Sequence, residues 1–148
     1  TFQAGLSWIT ILRKRENFRK AFENFDYKKI AKYDQAKVDS LLSDAGIIRN
    51  KLKINAAISN AKAFMEVQEE FGSFSKYIWG FVEGKPVINY FKSMNELPAT
   101  TPLSDIISKD LKKRGFKFVG STVIYAHMQA TGMVNDHLTT CYKHPDNI

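Results

Sequence analysis

Lys113-Arg114-Gly115-Phe116-Lys117-Phe118-Val119-Gly120 is the stretch on which the fold turns. Upstream of it, Thr101-Pro102 opens a helix with proline at its first position, and Leu103, Ile106, Ile107 and Leu111 form its apolar side. Lys112, Lys113 and Arg114 fill the last turn, where cations suit the helix dipole, and Gly115 stops it. Downstream, a second helix is predicted over Ser121–Thr131, closed by Gly132. Two helices joined by a tight glycine hairpin make a grip for a phosphate. The glycines let the backbone approach closely, and the N–H groups that open the second helix have no intrahelical partner. Gly120 and Ser121 supply those amides and Lys117 a point charge. Contacts of this kind hold register and carry no sequence information. An ordinary interhelical corner has the same local pattern, so the hairpin alone does not separate a DNA anchor from a plain turn. Phe116 and Phe118 read as core plugs.

Outward from the hairpin, the apolar spacing is helical. Trp8, Ile11, Leu12, Phe18, Phe22 and Phe25 recur at three- and four-residue intervals, which predicts one helix face from Leu6 to Phe25. Asp26 and Asp34 are caps for the next two helices, the first reaching Tyr33 and the second turning Val38, Leu41 and Leu42 inward. A long helix is predicted from Arg49 to Glu70, with Ile54, Ala57, Ile58, Ala61, Phe64 and Met65 as its stripe. Gly72 ends it and Ser73 caps Phe74–Phe81. Gly84–Thr101 is irregular, with a short strand at Val87–Tyr90, and the tail from Met133 is polar apart from its start. No linker or repeat divides the 148 residues, so the expectation is an all-α fold in one globular domain.

Composition narrows the function classes. The net charge of +7 favours a polyanionic partner, nucleic acid above all. The single cysteine, Cys141, excludes an internal disulfide and fits a reducing compartment. No apolar run approaches the ~18 residues of a membrane span, so no membrane partner is expected. A basic all-α protein-interaction domain and a non-catalytic helix-hairpin-helix DNA-binding module both remain open on these grounds. Thr1-Phe2-Gln3-Ala4-Gly5-Leu6 has no initiator Met and reads as a chain entered in mid-course.

Four blocks, in order, narrow the choice. Gln3-Ala4-Gly5-Leu6-Ser7-Trp8, Asp44-Ala45-Gly46-Ile47-Ile48-Arg49, the hairpin, and Asn135-Asp136-His137 with Cys141 together closely resemble the DNA-3-methyladenine glycosylase I family of the helix-hairpin-helix superfamily. The resemblance spans nearly the whole chain. It implies a bacterial, cytoplasmic, monomeric base-excision repair enzyme with the helix-hairpin-helix glycosylase fold. Such an enzyme releases 3-methyladenine from alkylated double-stranded DNA. Trp8 matches the tryptophan that stacks on the extruded base, where a cationic alkylated purine gains from an aromatic face. Gln3, Gly5 and Leu6 match the loop that probes the duplex and fills the hole left by the flipped nucleotide. Gly115, Lys117, Gly120 and Ser121 fall in the DNA-anchoring hairpin. Lys117-Phe118 stand where the superfamily's commoner form has Pro-Gly, and Thr122 stands where lyase-active relatives carry a lysine, so the expected activity is monofunctional.

The resemblance also implies a structural zinc. His137 and Cys141 match two of its four ligands, and their spacing suggests one side of a helical turn. His144 is a remote third candidate. The family's lesion-reading glutamate falls on the residue directly before Thr1, and the remaining ligands, a Cys and a His, fall further upstream. The catalytic residue within residues 1–148 is therefore unknown. Asp136 is the carboxylate nearest to where other superfamily members keep a catalytic aspartate, and beside His137 it reads instead as a supporting or surface group.

Overall fold

The structure is a computed structural model and describes residues 2–148. The described residues form eight α-helices: α1 (Trp8–Arg13), α2 (Arg15–Ala21), α3 (Tyr27–Ile30), α4 (Gln35–Ser43), α5 (Lys51–Phe71), α6 (Phe74–Gly80), α7 (Pro102–Lys113) and α8 (Ser121–Ala130). Two short strands, β1 (Val87–Ile88) and β2 (Val134–Asn135), and three single-turn 3-10 helices at Glu23–Phe25, Met94–Glu96 and Pro145–Asn147 accompany them.

The caps anticipated from sequence are made. Asp26, Asp34, Ser73 and Thr101 each accept an amide from the first turn of the helix they precede. Thr101 does so in a reciprocal box with Ser104, with Pro102 at the first position. Asn50 and Ser7 do the same for α5 and α1. Each such cap contributes about 1 kcal/mol, which matters most for helices of one or two turns.

Two apolar cores lie along α5. Phe18, Phe22, Ile30, Val38, Leu41 and Ile47 pack on its first half around Ile54 and Ala61. Tyr77, Ile107, Leu111, Ile124, Met128 and Met133 pack on its second half around Ala63 and Val67. Packed rings join them, with Tyr27 tilted against Phe64 at 4.8 Å and Phe64 stacked on Phe74 at 4.8 Å.

Several expectations are corrected. The stretch Leu6–Phe25 is two helices broken at Lys14, not one. There the Lys14 ammonium donates to the Ala45 and Gly46 carbonyls at 3.3 and 3.2 Å, and Asn17 also bonds the Gly46 carbonyl. The break lets both side chains grip that turn. The apolar stripe is real, but only Phe18 and Phe22 are core, whereas Trp8 and Leu12 before them and Phe25 after them are exposed. Met65 and Ile106 also face solvent. The strand at Val87 has a partner the polar look of the tail concealed. β1 pairs in parallel with β2, Val87 opposite Val134 and Ile88 opposite Asn135.

Candidate functional site

The hairpin is held from behind by side chains of α5 and α7. Asn60 reaches from α5 to Lys117: its Oδ1 accepts from the Lys117 amide at 2.7 Å and its Nδ2 donates to the Lys117 carbonyl at 3.0 Å. Ser108 donates to the Val119 carbonyl at 2.6 Å, and buried Ser104 shares a 2.7 Å hydrogen bond with the Ser121 hydroxyl. The backbone of Lys117 and the side chain of Ser121 are thus spent inside the fold. No side chain caps α8 at Gly120, so the amides that open that helix are not taken up by a capping side chain. Gly120 takes φ −59°, which any residue tolerates, and a Cβ there would meet nothing within 4 Å. Its glycine is therefore unexplained by strain and fits an external group approaching the backbone. Gly115 is different, at φ +92°, where glycine is favoured by conformation.

Two readings of the hairpin change. Phe116 is buried as expected, but Phe118 is only half-buried and adopts φ +54°. Phe118 sits where the commoner hairpin has glycine, and it takes the left-handed conformation that glycine would. Arg114 is not a free cation. It bonds Glu70 at 2.6 Å and Asp110 at 2.9 Å and lies over the Phe71 and Tyr77 rings. Burial alone would raise the Asp110 carboxyl. Hydrogen bonds from Tyr77 and Arg114 outweigh it and hold that carboxyl below its usual range. Lys112, Lys113 and Lys117 are exposed and have no carboxylate partner among the described residues.

Across from α8 lies the loop that enters α1. Gln3, Gly5, Leu6 and Trp8 line one wall of a cleft of about 600 Å³, and Thr122, Val123, Ala126 and His127 of α8 line the other. Trp8 is 62% exposed. Its other side meets a smaller apolar cavity of about 220 Å³, walled by Phe2, Phe18 and Phe25 among others. The indole is therefore available to a ligand, and the loop, the tryptophan and the start of α8 share one cleft. The sequence reading missed three residues here. Lys53 of α5, 7% exposed, donates to the Phe2 carbonyl at 2.9 Å and to the Ala4 carbonyl, and its ammonium lies 5.7 Å from the Phe118 ring centroid. Burial lowers its pKa. Asn60 and Lys53 are polar positions within a long amphipathic helix, and no local motif marks such residues. His127 is half-buried in the cleft wall, and burial lowers its pKa below 6.5.

The C-terminal segment holds the two predicted metal ligands together. The Cys141 sulfur and His137 Nδ1 are 3.6 Å apart, but on an irregular turn rather than the helical turn expected. His144 is elsewhere engaged. It is fully buried, its Nδ1 accepts from the Asp146 amide, and its Nε2 faces the Asn89 carbonyl at 3.3 Å. Among the described residues no group of three or more metal-binding side chains gathers. Asp136 is a staple: Asn89, Tyr125 and Gln129 all donate to its carboxylate, at 2.7, 2.5 and 2.7 Å. With its oxygens so occupied, it fits the supporting role expected of it, tying β2 to α8.

Known proteins resemble this chain in sequence and fold. A family model described as methyladenine glycosylase matches residues 1–144. The DNA-3-methyladenine glycosylase 1 of Escherichia coli (strain K12) is 48% identical over 145 residues, which cover 98% of this chain and 78% of that protein. A crystal structure of 3-methyladenine DNA glycosylase I superposes with a TM-score of 0.89 at 51% identity, covering 97% of this chain and 79% of the other. The Staphylococcus aureus 3-methyladenine DNA glycosylase I, solved to explain 3-methyladenine recognition, gives a TM-score of 0.91 at 33% identity, covering 97% and 77%. Sequence and fold agree across almost the entire chain, which belongs to the methyladenine glycosylase family.

Proposed function

We infer that this protein is a DNA-3-methyladenine glycosylase, which hydrolyses the N-glycosidic bond of 3-methyladenine in alkylated double-stranded DNA. One observation carries the reading: the Gln3–Leu6 loop, the exposed Trp8 indole and α8, the helix that follows the hairpin, border a single cleft. The amides opening α8, with Lys117, hold a phosphate. Leu6 or Gln3 fills the gap left by the extruded nucleotide, and the base lies against Trp8. Methylation at N3 gives the purine a positive charge and weakens its bond to the sugar, so selection by shape and charge does much of the work. Water bonds to the sugar carbon and loses a proton, and the glycosidic electron pair departs with the base. Thr122 offers no amine for a Schiff base, so the product is an intact strand with an abasic site. The loop, Trp8 and the hairpin all come from one copy of the chain, which supports a monomer. Its DNA substrate and bacterial relatives point to the cytoplasm.

His137 and Cys141 would hold a structural zinc together with two further ligands. The donors are of the right type. Two such ligands on a tetrahedral zinc lie about 3.6 Å apart, given ordinary bond lengths, which equals the observed sulfur-to-nitrogen separation. Held by His137 and Cys141, such an ion would supply a structural cross-link at the C-terminal turn and no part of the chemistry in the cleft. Elemental analysis of the intact gene product should find one zinc per chain, and Cys141→Ser should release it with a fall in melting temperature.

The function is tested with the intact gene product and N-methylated duplex DNA, by chromatography of released bases and a separate assay for strand breaks. Release of 3-methyladenine without breakage is expected. Tight duplex binding with no release of methylated base would leave a non-catalytic DNA-binding module instead.

A further inference from the structure

We propose that α5 sets the spacing between the base-probing loop and the DNA-anchoring hairpin through two positioning residues, Lys53 and Asn60. The inference rests on the function proposed above, because it needs both elements to engage the same duplex.

Seven residues separate the two positions. That is about 700° of rotation and roughly 10.5 Å of rise, so both lie on one face of α5, two turns apart. Lys53 holds the loop. Its ammonium donates to the carbonyls of Phe2 and Ala4, while the Gln3 carbonyl between them accepts from the Leu6 amide at 2.8 Å. Three consecutive carbonyls are thereby fixed immediately before Gly5, which turns at φ +73°. Asn60 holds the hairpin, closing on both backbone groups of Lys117. Lys53 also lies under Phe118 of that same hairpin. One rigid helix is therefore bonded to the backbone of both DNA-facing elements.

Packing does not explain these side chains. Lys53 has no carboxylate partner among the described residues, and removing an ammonium from water is unfavourable. A methionine would fill the same space without that penalty. What an ammonium adds is directed donors for two carbonyls. Asn60 likewise gives a matched donor and acceptor to a hairpin residue that has no sheet or helix to pair with. The spacing matters because displacement of a reacting group by an ångström can lower a rate about 100-fold.

The two residues make separable predictions, measured as single-turnover excision at saturating enzyme and as affinity for a methylated duplex. Lys53→Met should slow excision about tenfold or more while duplex affinity stays within about threefold, and Lys53→Arg, which keeps donors for the carbonyls, should recover most of the rate. Asn60→Ala should weaken duplex binding roughly fivefold or more with the saturating rate little changed. Asn60→Asp should bind no more tightly than Asn60→Ala, because it loses the donor to the carbonyl and sets a negative charge beside the phosphate grip. The Asn60 pair tests the proposal even if Lys53→Met fails to fold. Rate and affinity falling together in step with melting temperature, or neither changing, would overturn it. Excision by the unmutated protein is scored first, so failure of the spacing idea is distinct from failure of the assigned reaction.

Discussion

Trp8 is the largest apolar side chain on the cleft, and the fold gains little from it. At 62% exposure it fills no core. Its removal should therefore hardly move the melting temperature, whereas stacking of a base on an aromatic ring is worth about 1–3 kcal/mol. Trp8→Ala should reduce excision between about fivefold and 150-fold while general duplex affinity is retained, measured by single-turnover kinetics beside a binding titration. Equal losses in both would remove the indole from the base-binding role. His127, in the opposite wall, makes a pH prediction. Burial holds its pKa below the unfolded value of 6.5, so the unfolded chain takes up the proton more readily. Its contribution to stability is complete above pH 6.5 and declines as the pH falls through the folded value. His127→Phe should leave stability unchanged at pH 8 and reduce the loss seen between pH 6.5 and 5, as followed by thermal melts. Parallel acid profiles in the two proteins would show that the imidazole is not desolvated in the native state.

Among the elements, the hairpin was legible in outline and its supports were not. Glycines, cations and the helix patterns on either side are local signals, and they placed α7, the turn and α8 within a residue or two. Asn60, Ser104 and Ser108 act across sequence separations that no local pattern reports, and Phe118 breaks the rule that a bulky residue avoids positive φ. The same limit explains why β2 was missed: two residues acquire strand character only from Val87 and Ile88 beside them. The two hairpin glycines are predicted to behave oppositely. Gly115→Ala forces a side chain into a left-handed conformation and should cost about 1 kcal/mol of stability. Gly120→Val adds its bulk to open space at an ordinary φ, so the fold should survive while every duplex binds more weakly. Thermal melts and binding to damaged and undamaged DNA separate the two. Undisturbed binding by Gly120→Val would take the hairpin out of the interface.

For the whole molecule, the surplus of seven positive charges is informative only through where its members are committed. The base-probing loop and Trp8 were readable because a family resemblance named them. That they share a cleft with α8 depends on how the two halves of the chain pack along α5, which sequence spacing does not encode. The same packing decides which cations can meet DNA. Arg114 looked like part of the basic flank, yet it is bound to Glu70 and Asp110 and stacked on two rings. Lys117 at the hairpin tip is unpaired among the described residues and exposed. Each phosphate neutralised by a lysine or arginine adds about 0.9 to the steepness with which log affinity falls against log salt. Lys117→Met should therefore lower that slope by about one and weaken methylated and undamaged duplexes alike. Arg114→Met should leave the slope unchanged, and its effect should appear as a lower melting temperature from the lost ion pairs. Titrations of both variants over a series of potassium chloride concentrations distinguish the two. A slope that falls for Arg114→Met and not for Lys117→Met would mean that Arg114, rather than the hairpin tip, meets the phosphates.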